Sequence, residues 1–296
     1  MENKMEEYIK KADILIEAIP YIRKFSDATV VVKYGGSAMT SPELKKSIIQ
    51  DISILKYLGI NIVVVHGGGL DITNTLKKMN KKTEFINGLR VTDKETAKIA
   101  EMVLSGNISK GLVQDLQSHG LNAVGISGKD GNTFEVSKEI KEVDLGFVGK
   151  IDKVNTELLD TLLKNNFIPV FSPIASDKNG NTYNINADYA ASAIASALKA
   201  QKLIFLTDTN GILRDKDDNN SVINRLTKTE AIEYINDGTI NGGMIPKVQC
   251  CVEAVENGVK SIHILDGNLP HSILLEIFTS KGCGTMMFKK GQINDD

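Results

Sequence analysis

The chain has 296 residues, room for one large α/β domain or two lobes. Its 42% apolar and 24% charged residues are the balance of a soluble globular protein, and a net charge of −2 gives no global attraction for nucleic acid or a membrane surface. Any anion must therefore be captured by local arrangement. No apolar run reaches bilayer length, and the charged N-terminus lacks a secretory h-region. Cys250, Cys251 and Cys283 form no C-x-x-C, and the four histidines show no metal spacing. Free thiols in a reducing cytoplasm are expected, with no structural zinc.

Residues 1–25 read as one helix kinked at Pro20, because proline removes a helix donor. Met5, Tyr8, Ala12, Leu15, Ile19 and Ile22 recur three and four apart on a narrow seam. Two readings stay open: a helix packed on its own domain, or an arm packed on a second subunit. Strands and helices then alternate. "ATVVVK" is a strand, and "SPELKKSIIQDISILKYLG" is a helix with Ser41 as N-cap and Pro42 at its first position. "INIVVVH", "NAVGIS" and "FIPVFSPI" are further buried strands, "NTFEVS" and "GFVGKIDKV" look like a hairpin, and "KNGNTY" holds an Asn-Gly turn. From "DYAASAIASALKA" the order is helix, strand "KLIFLT", strand "GILRD", two helices, strand "SIHIL", a helix and a short tail. The fold class is α/β, an open sheet that is mainly parallel with some antiparallel decoration. No Pro- or Ser-rich linker divides it, so a boundary between two lobes is expected near the helix at 188–200.

Two glycine loops, "KYGGS" at 33–37 and "HGGG" at 66–69, follow consecutive strands, at the strand ends where open α/β sheets bind ligands. Glycine there lets backbone N–H groups approach an anion, and the following helix adds its positive end. Neither loop is a Walker A or a G-x-G-x-x-G sequence. One Gly-Gly turn favours a plain turn; two in succession favour an anion cradle. Lys33 ends an apolar strand, and Lys247 sits in "NGGMIPKV". Each is either a snorkelling surface lysine or the counter-charge of a site. In "YNINAD", Asp188 is an N-cap or faces a site, and Asn184 and Asn186 are turn residues or lie at its edge. "NGLRVTD" reads as a loop in which Arg90 is either exposed or a fork for a carboxylate, and Asp93 caps the next helix.

Taken in order, "VVVKYGGSAM", "VVVHGGG", "NGLRVTD", "YNINAD", "LTDTNGIL" and "GMIPKV" resemble the amino acid kinase family, and within it the members that phosphorylate N-acetyl-L-glutamate. The resemblance runs from about residue 28 to the end. It implies an open αβα sandwich with an acyl-amino-acid lobe (26–195), a nucleotide lobe (196–296) and an N-terminal oligomerisation helix (1–25). The implied activity is transfer of the γ-phosphoryl group of ATP, used with Mg²⁺, to the γ-carboxylate of N-acetyl-L-glutamate in arginine biosynthesis. It implies that Lys33 and Lys247 stabilise the transferring group and that Asp188 orients them. Gly68, Gly69, Arg90 and Asn184 would bind substrate, and Gly35 and Gly36 would lie on the phosphate path. A carboxylate needs no general base at neutral pH, which agrees with the lack of a histidine triad. Members of this family with such an N-terminal helix are arginine-inhibited hexamers, trimers of dimers. By resemblance Tyr21, His263, Glu276 and Gly282 would line the arginine site. Without that site, His263 reads as a satisfied core histidine and Glu276 as a solvated helix residue. Some relatives bind a PII-type signalling protein, which nothing in these residues decides. The alternatives are another carboxylate or carbamate kinase of this fold, or a non-catalytic arginine sensor, against which intact Lys33, Asp188 and Lys247 argue. A Rossmann dehydrogenase is excluded by the missing dinucleotide fingerprint.

Overall fold

The computed structural model describes residues 2–39, 41–86, 88–215, 217–279 and 282–289. Helix α1 (Glu2–Phe25) runs through Pro20 and leads into strand β1 (Thr29–Tyr34). Helix α2 (Pro42–Tyr57) starts where expected: the Ser41 hydroxyl accepts the N–H of Leu44, and Pro42 opens the first turn. Strand β2 (Asn61–His66) and helix α3 (Gly69–Lys78) follow. The stretch read as a loop is instead a tight hairpin, β3 (Phe85–Ile86) with β4 (Leu89–Arg90). Asp93 caps helix α4 (Lys94–Glu101) as expected, and a π-helical stretch (Met102–Ile108) joins it to α5 (Ser109–Ser118).

Strand β5 (Ala123–Ser127) precedes the predicted hairpin β6 (Phe134–Lys138) and β7 (Gly149–Val154). Then come α6 (Glu157–Lys164), β8 (Ile168–Ser172), a small hairpin of β9 (Ile174–Ser176) with β10 (Thr182–Asn184), and α7 (Ala187–Ala197). The last part holds β11 (Lys202–Thr207), β12 (Arg225–Thr227), α8 (Lys228–Asn236), α9 (Met244–Glu256), β13 (Ser261–Asp266), α10 (Ser272–Phe278) and β14 (Thr285–Phe288). "GILRD" is not a strand: it contributes only an isolated bridge, Leu213 to Val222. The expected tail instead supplies β14, antiparallel to β13, and β12 joins β14 in parallel.

Among the described residues the central sheet has eight strands, in the order β12-β14-β13-β11-β1-β2-β8-β5. β1 lies between β11 and β2, both parallel to it, so chain direction diverges at its C-terminal end. That is a topological switch point, where open α/β sheets form a crevice. Successive strand residues face opposite sides. Val31, Val63, Val65, Phe171, Leu203 and Phe205 pack with residues of α6, α7 and α9 on one face. Val30, Val32, Tyr34, Val64, Ile204 and Leu206 pack with α2, α5 and α10 on the other. With both faces covered, the strands read as continuous apolar runs.

Helix α1 does not fit the own-domain reading. Phe25 is buried and Tyr21 and Ile22 are half-buried, but Leu15 is 70% exposed, and Met5, Tyr8, Ile14, Ile16 and Ile19 are exposed too. Among its described residues, Tyr21 and Phe25 near its C-terminal end join the core.

Candidate active site

Lys33 follows Val31 on the α7 and α9 face of β1, and the two-residue repeat aims it there too. Two helices converge on it. Asp188 lies in the first turn of α7 and Lys247 in the first turn of α9. The Asp188 carboxylate bridges both lysines, with Oδ1 3.1 Å from Lys33 Nζ and Oδ2 2.5 Å from Lys247 Nζ. Each side chain is less than one-fifth exposed. Burial pushes the Asp188 carboxyl up, but the ammonium groups of Lys33 and Lys247 outweigh it and bring it down to about 2. The cluster thus holds two cations and one anion, a local excess of positive charge that suits a polyanion. Lys247 Nζ also lies 5.0 Å from the centre of the Phe205 ring.

Asp188 is not the N-cap of α7. That place is taken by Asn186, whose Oδ1 accepts the N–H of Asp188 at 2.8 Å and of Tyr189 at 3.3 Å. The cap leaves the Asp188 carboxylate to the lysines and fixes the turn that carries it.

A cavity of about 240 Å³ opens beside the cluster, lined by Lys33, Gly35, Gly36, Gly68, Gly69, Arg90, Asn184 and Asp188, among others. The structure therefore brings together every residue expected at the catalytic, substrate and phosphate positions. Gly36 has φ +70°, and a Cβ on it would run into the Asp208 carboxylate. A Cβ on Gly68 would strike Leu104 and Ile108 of the π-helical stretch. Arg90 is buried in the β3–β4 hairpin, with its guanidinium 4.6 Å from the centre of the Phe85 ring. Its Nη2 donates to the Gly69 carbonyl at 2.7 Å and to Thr73 Oγ1 at 3.0 Å. Its Nη1 is buried and has no hydrogen-bond partner among the described residues. A buried cationic donor without an acceptor suits a carboxylate brought by a ligand. Thr73 was missed as a member of the site. It lies on α3 outside the quoted motifs, and only the folded geometry gives it Arg90 as a partner.

A second polar cluster lies on the opposite face of the sheet. His263 Nδ1 is 2.7 Å from Glu276 Oε1, and Glu276 Oε2 accepts the N–H of Cys283 at 2.8 Å beside Gly282. Glu276 is largely buried, not solvated. Burial and Lys202 push His263 down to about 4, so its ring is neutral. Lys202, which sequence reading missed, sits 2.8 Å from His263 Nε2 and 5.0 Å from the centre of the Phe25 ring. Burial lowers it to about 8. Tyr21, near the C-terminal end of α1, is half-buried in the same apolar layer.

The profile of the amino acid kinase family matches residues 28–266. An acetylglutamate kinase of Brachyspira hyodysenteriae is 53% identical over 94% of this chain and 97% of its own length. One of Caldanaerobacter subterraneus subsp. tengcongensis is 52% identical over 98% of this chain and 97% of its own. Among solved structures, N-acetylglutamate synthase from Neisseria gonorrhoeae complexed with coenzyme A and N-acetyl-glutamate is similar at a TM-score of 0.84 and 27% identity. That match covers 95% of this chain and only 64% of the synthase chain. Carbamate kinase from Giardia lamblia shares the fold at a TM-score of 0.65. With its motifs gathered around one crevice and its relatives matched almost end to end, the chain belongs to the amino acid kinase family.

Proposed function

We propose that the chain transfers the γ-phosphoryl group of ATP to the γ-carboxylate of N-acetyl-L-glutamate, yielding an acyl phosphate and ADP in arginine biosynthesis. The observation that carries this reading is the Lys33–Asp188–Lys247 cluster at the edge of a small cavity that also holds the free Nη1 of Arg90. The near end-to-end similarity to acetylglutamate kinases narrows the substrate.

The acceptor carboxylate is already ionised at neutral pH, so an oxygen lone pair attacks the γ-phosphorus directly and no proton moves. The bond to the β–γ bridging oxygen breaks, and its electrons leave with ADP. The obstacle is repulsion between two anions, so positioning and charge neutralisation supply the catalysis. Lys33 and Lys247 meet the transferring group from the sheet and from α9. Asp188, held ionised, stops them from separating. Arg90 takes a substrate carboxylate, Asn184 lies against the acyl-amino acid, and the amides of Gly35, Gly36, Gly68 and Gly69 face the phosphoryl path. Mg²⁺ enters as part of the nucleotide substrate, held chiefly by its phosphates. In this reading residues 26–195 hold the acyl-amino acid and residues 196–296 the nucleotide, and the enzyme works in the cytoplasm.

The same reading covers regulation. The exposed apolar residues of α1 suit interlacing with α1 of another copy, which would join dimers into a hexamer. Tyr21, His263, Glu276 and Gly282, with Lys202, form an arginine site at the root of that helix. One similar fold, the Neisseria synthase, is complexed with L-arginine.

The test is an ATP-dependent acyl phosphate assay, trapped with hydroxylamine, on N-acetylglutamate, glutamate, aspartate and carbamate. Turnover of N-acetylglutamate alone is expected. Turnover of free glutamate or carbamate but not N-acetylglutamate would assign another member of the fold, and no turnover with arginine binding would make it a sensor.

A further inference from the structure

Three consecutive glycines, Gly67 to Gly69, form the loop that closes the cavity, and glycine peptides turn over at little steric cost. A loop that must present N–H groups in one direction therefore needs an external hold. His66 provides the chemistry for one. It ends β2 fully buried, with Nδ1 2.8 Å from the Gly67 carbonyl and Nε2 2.9 Å from Ser172 Oγ at the end of β8. Burial pushes the ring down to about 4, against the pull of the Gly67 carbonyl, so it is neutral. A carbonyl can only accept, so Nδ1 carries the proton and Nε2 accepts from the Ser172 hydroxyl. Ser172 is itself fully buried, and its longer contact, 3.4 Å to the Leu104 carbonyl, reaches the π-helical stretch that packs on Gly68.

The Gly67 N–H is tied as well, donating to the Tyr34 carbonyl at 2.8 Å. In a trans peptide the C=O of one residue and the N–H of the next point in opposite directions. With the Gly67 carbonyl turned onto the buried ring, the Gly68 N–H must point away from it. Gly68 and Gly69 open α3, and their N–H groups have no acceptor among the described residues. We propose that His66 is a positioning residue that locks the Gly67–Gly68 peptide plane and so aims the Gly68 N–H into the cavity, at the charge that develops during phosphoryl transfer. A neutral ring does this without adding a charge beneath the site. The proposal rests on reading the cavity as the active site.

Two substitutions separate the lock from mere packing. In His66→Asn the side-chain amide nitrogen falls near the position of Nδ1, and in His66→Gln it falls near Nε2. Both vacate ring volume, so both lower the urea midpoint. Only the lock sets them apart in turnover: His66→Gln is expected to lower kcat by about tenfold to a hundredfold, and His66→Asn to stay within about threefold of the parent. Equal kcat in the two, or a parental kcat in His66→Gln, would overturn the proposal. Should His66→Gln not fold, Ser172→Ala, which frees the outer ring nitrogen, is expected to lower kcat several-fold; parental kcat there would count against the lock. Crystal structures of the variants read the peptide plane independently of turnover. The Gly67 carbonyl should be turned in the Gln or Ser172 variant and retained in the Asn variant, and its retention in all of them would refute the lock. If the parent protein phosphorylates none of the carboxylates, the functional reading fails while these structures still decide the role of His66.

Discussion

Replacing Asp188 by asparagine removes the one anion from a cluster of three charges. In the parent protein burial opposes ionisation, yet Lys33 and Lys247 bring the carboxyl from 3.8 to about 2. That shift corresponds to roughly 2 kcal/mol of preference for the ionised form. The variant also leaves two mostly buried ammonium groups facing each other, and breaking a buried pair costs about 3–5 kcal/mol where no water relieves it. At neutral pH we expect a loss of about 2–4 kcal/mol. The folded-state pKa is depressed, so the ionic contribution is complete above the unfolded value and is lost as pH falls through the folded one. With 3.8 and about 2 as the limits, about 1 kcal/mol of it has gone by pH 3. The stability gap between parent and Asp188→Asn should therefore shrink by about that amount between pH 5 and pH 3. Urea unfolding of both proteins at pH 7, 5 and 3, at one fixed protein concentration, measures it. A gap that stays constant or widens with acid would refute the argument that the lysines hold this carboxylate ionised. The same variant should lose at least about a hundredfold in kcat, because its ammonium groups are no longer held together.

Lys247→Ala should lower kcat far more than it raises KM for either substrate; an unchanged kcat would remove it from the transition state. Arg90→Lys keeps the charge but not the fork that reaches Gly69 and Thr73 while leaving Nη1 for a ligand, so KM for N-acetylglutamate should rise about tenfold or more with a smaller change in kcat. A parental KM would show that Arg90 does not touch the substrate. If α1 joins dimers as proposed, the full chain should sediment as a hexamer inhibited by arginine, and deleting residues 1–25 should leave dimers with weaker inhibition. A truncated protein that stays hexameric would contradict the arm.

The central parallel strands were legible because sheets covered on both sides spell continuous apolar runs, and Lys33 stood out by ending one. The glycine loops and "YNINAD" were legible as a set, but their division of labour was not. Asn186 and Asp188 are both good helix caps, and only the two lysines, distant in sequence, decide which of them caps. Strand β14 is four residues paired to a partner more than twenty residues away, and Gly282 and Gly284 just before it read equally well as part of a tail. The β3–β4 hairpin is too short to show alternation. Lys202 opens an apolar strand exactly where a solvated flank would stand, and only its contact with His263 gives it away.

The alternation of side chains along β1 and β11 also limits how this chain can change over time. Lys33 and Phe205 look to one side of the sheet, Lys202 and His263 to the other. Inserting or deleting one residue within β1 would carry Lys33 across the sheet and leave Asp188 facing a valine or a tyrosine. Length variation is thus free to accumulate in the turns, such as the exposed one at 217–220, while these two strands must keep their count.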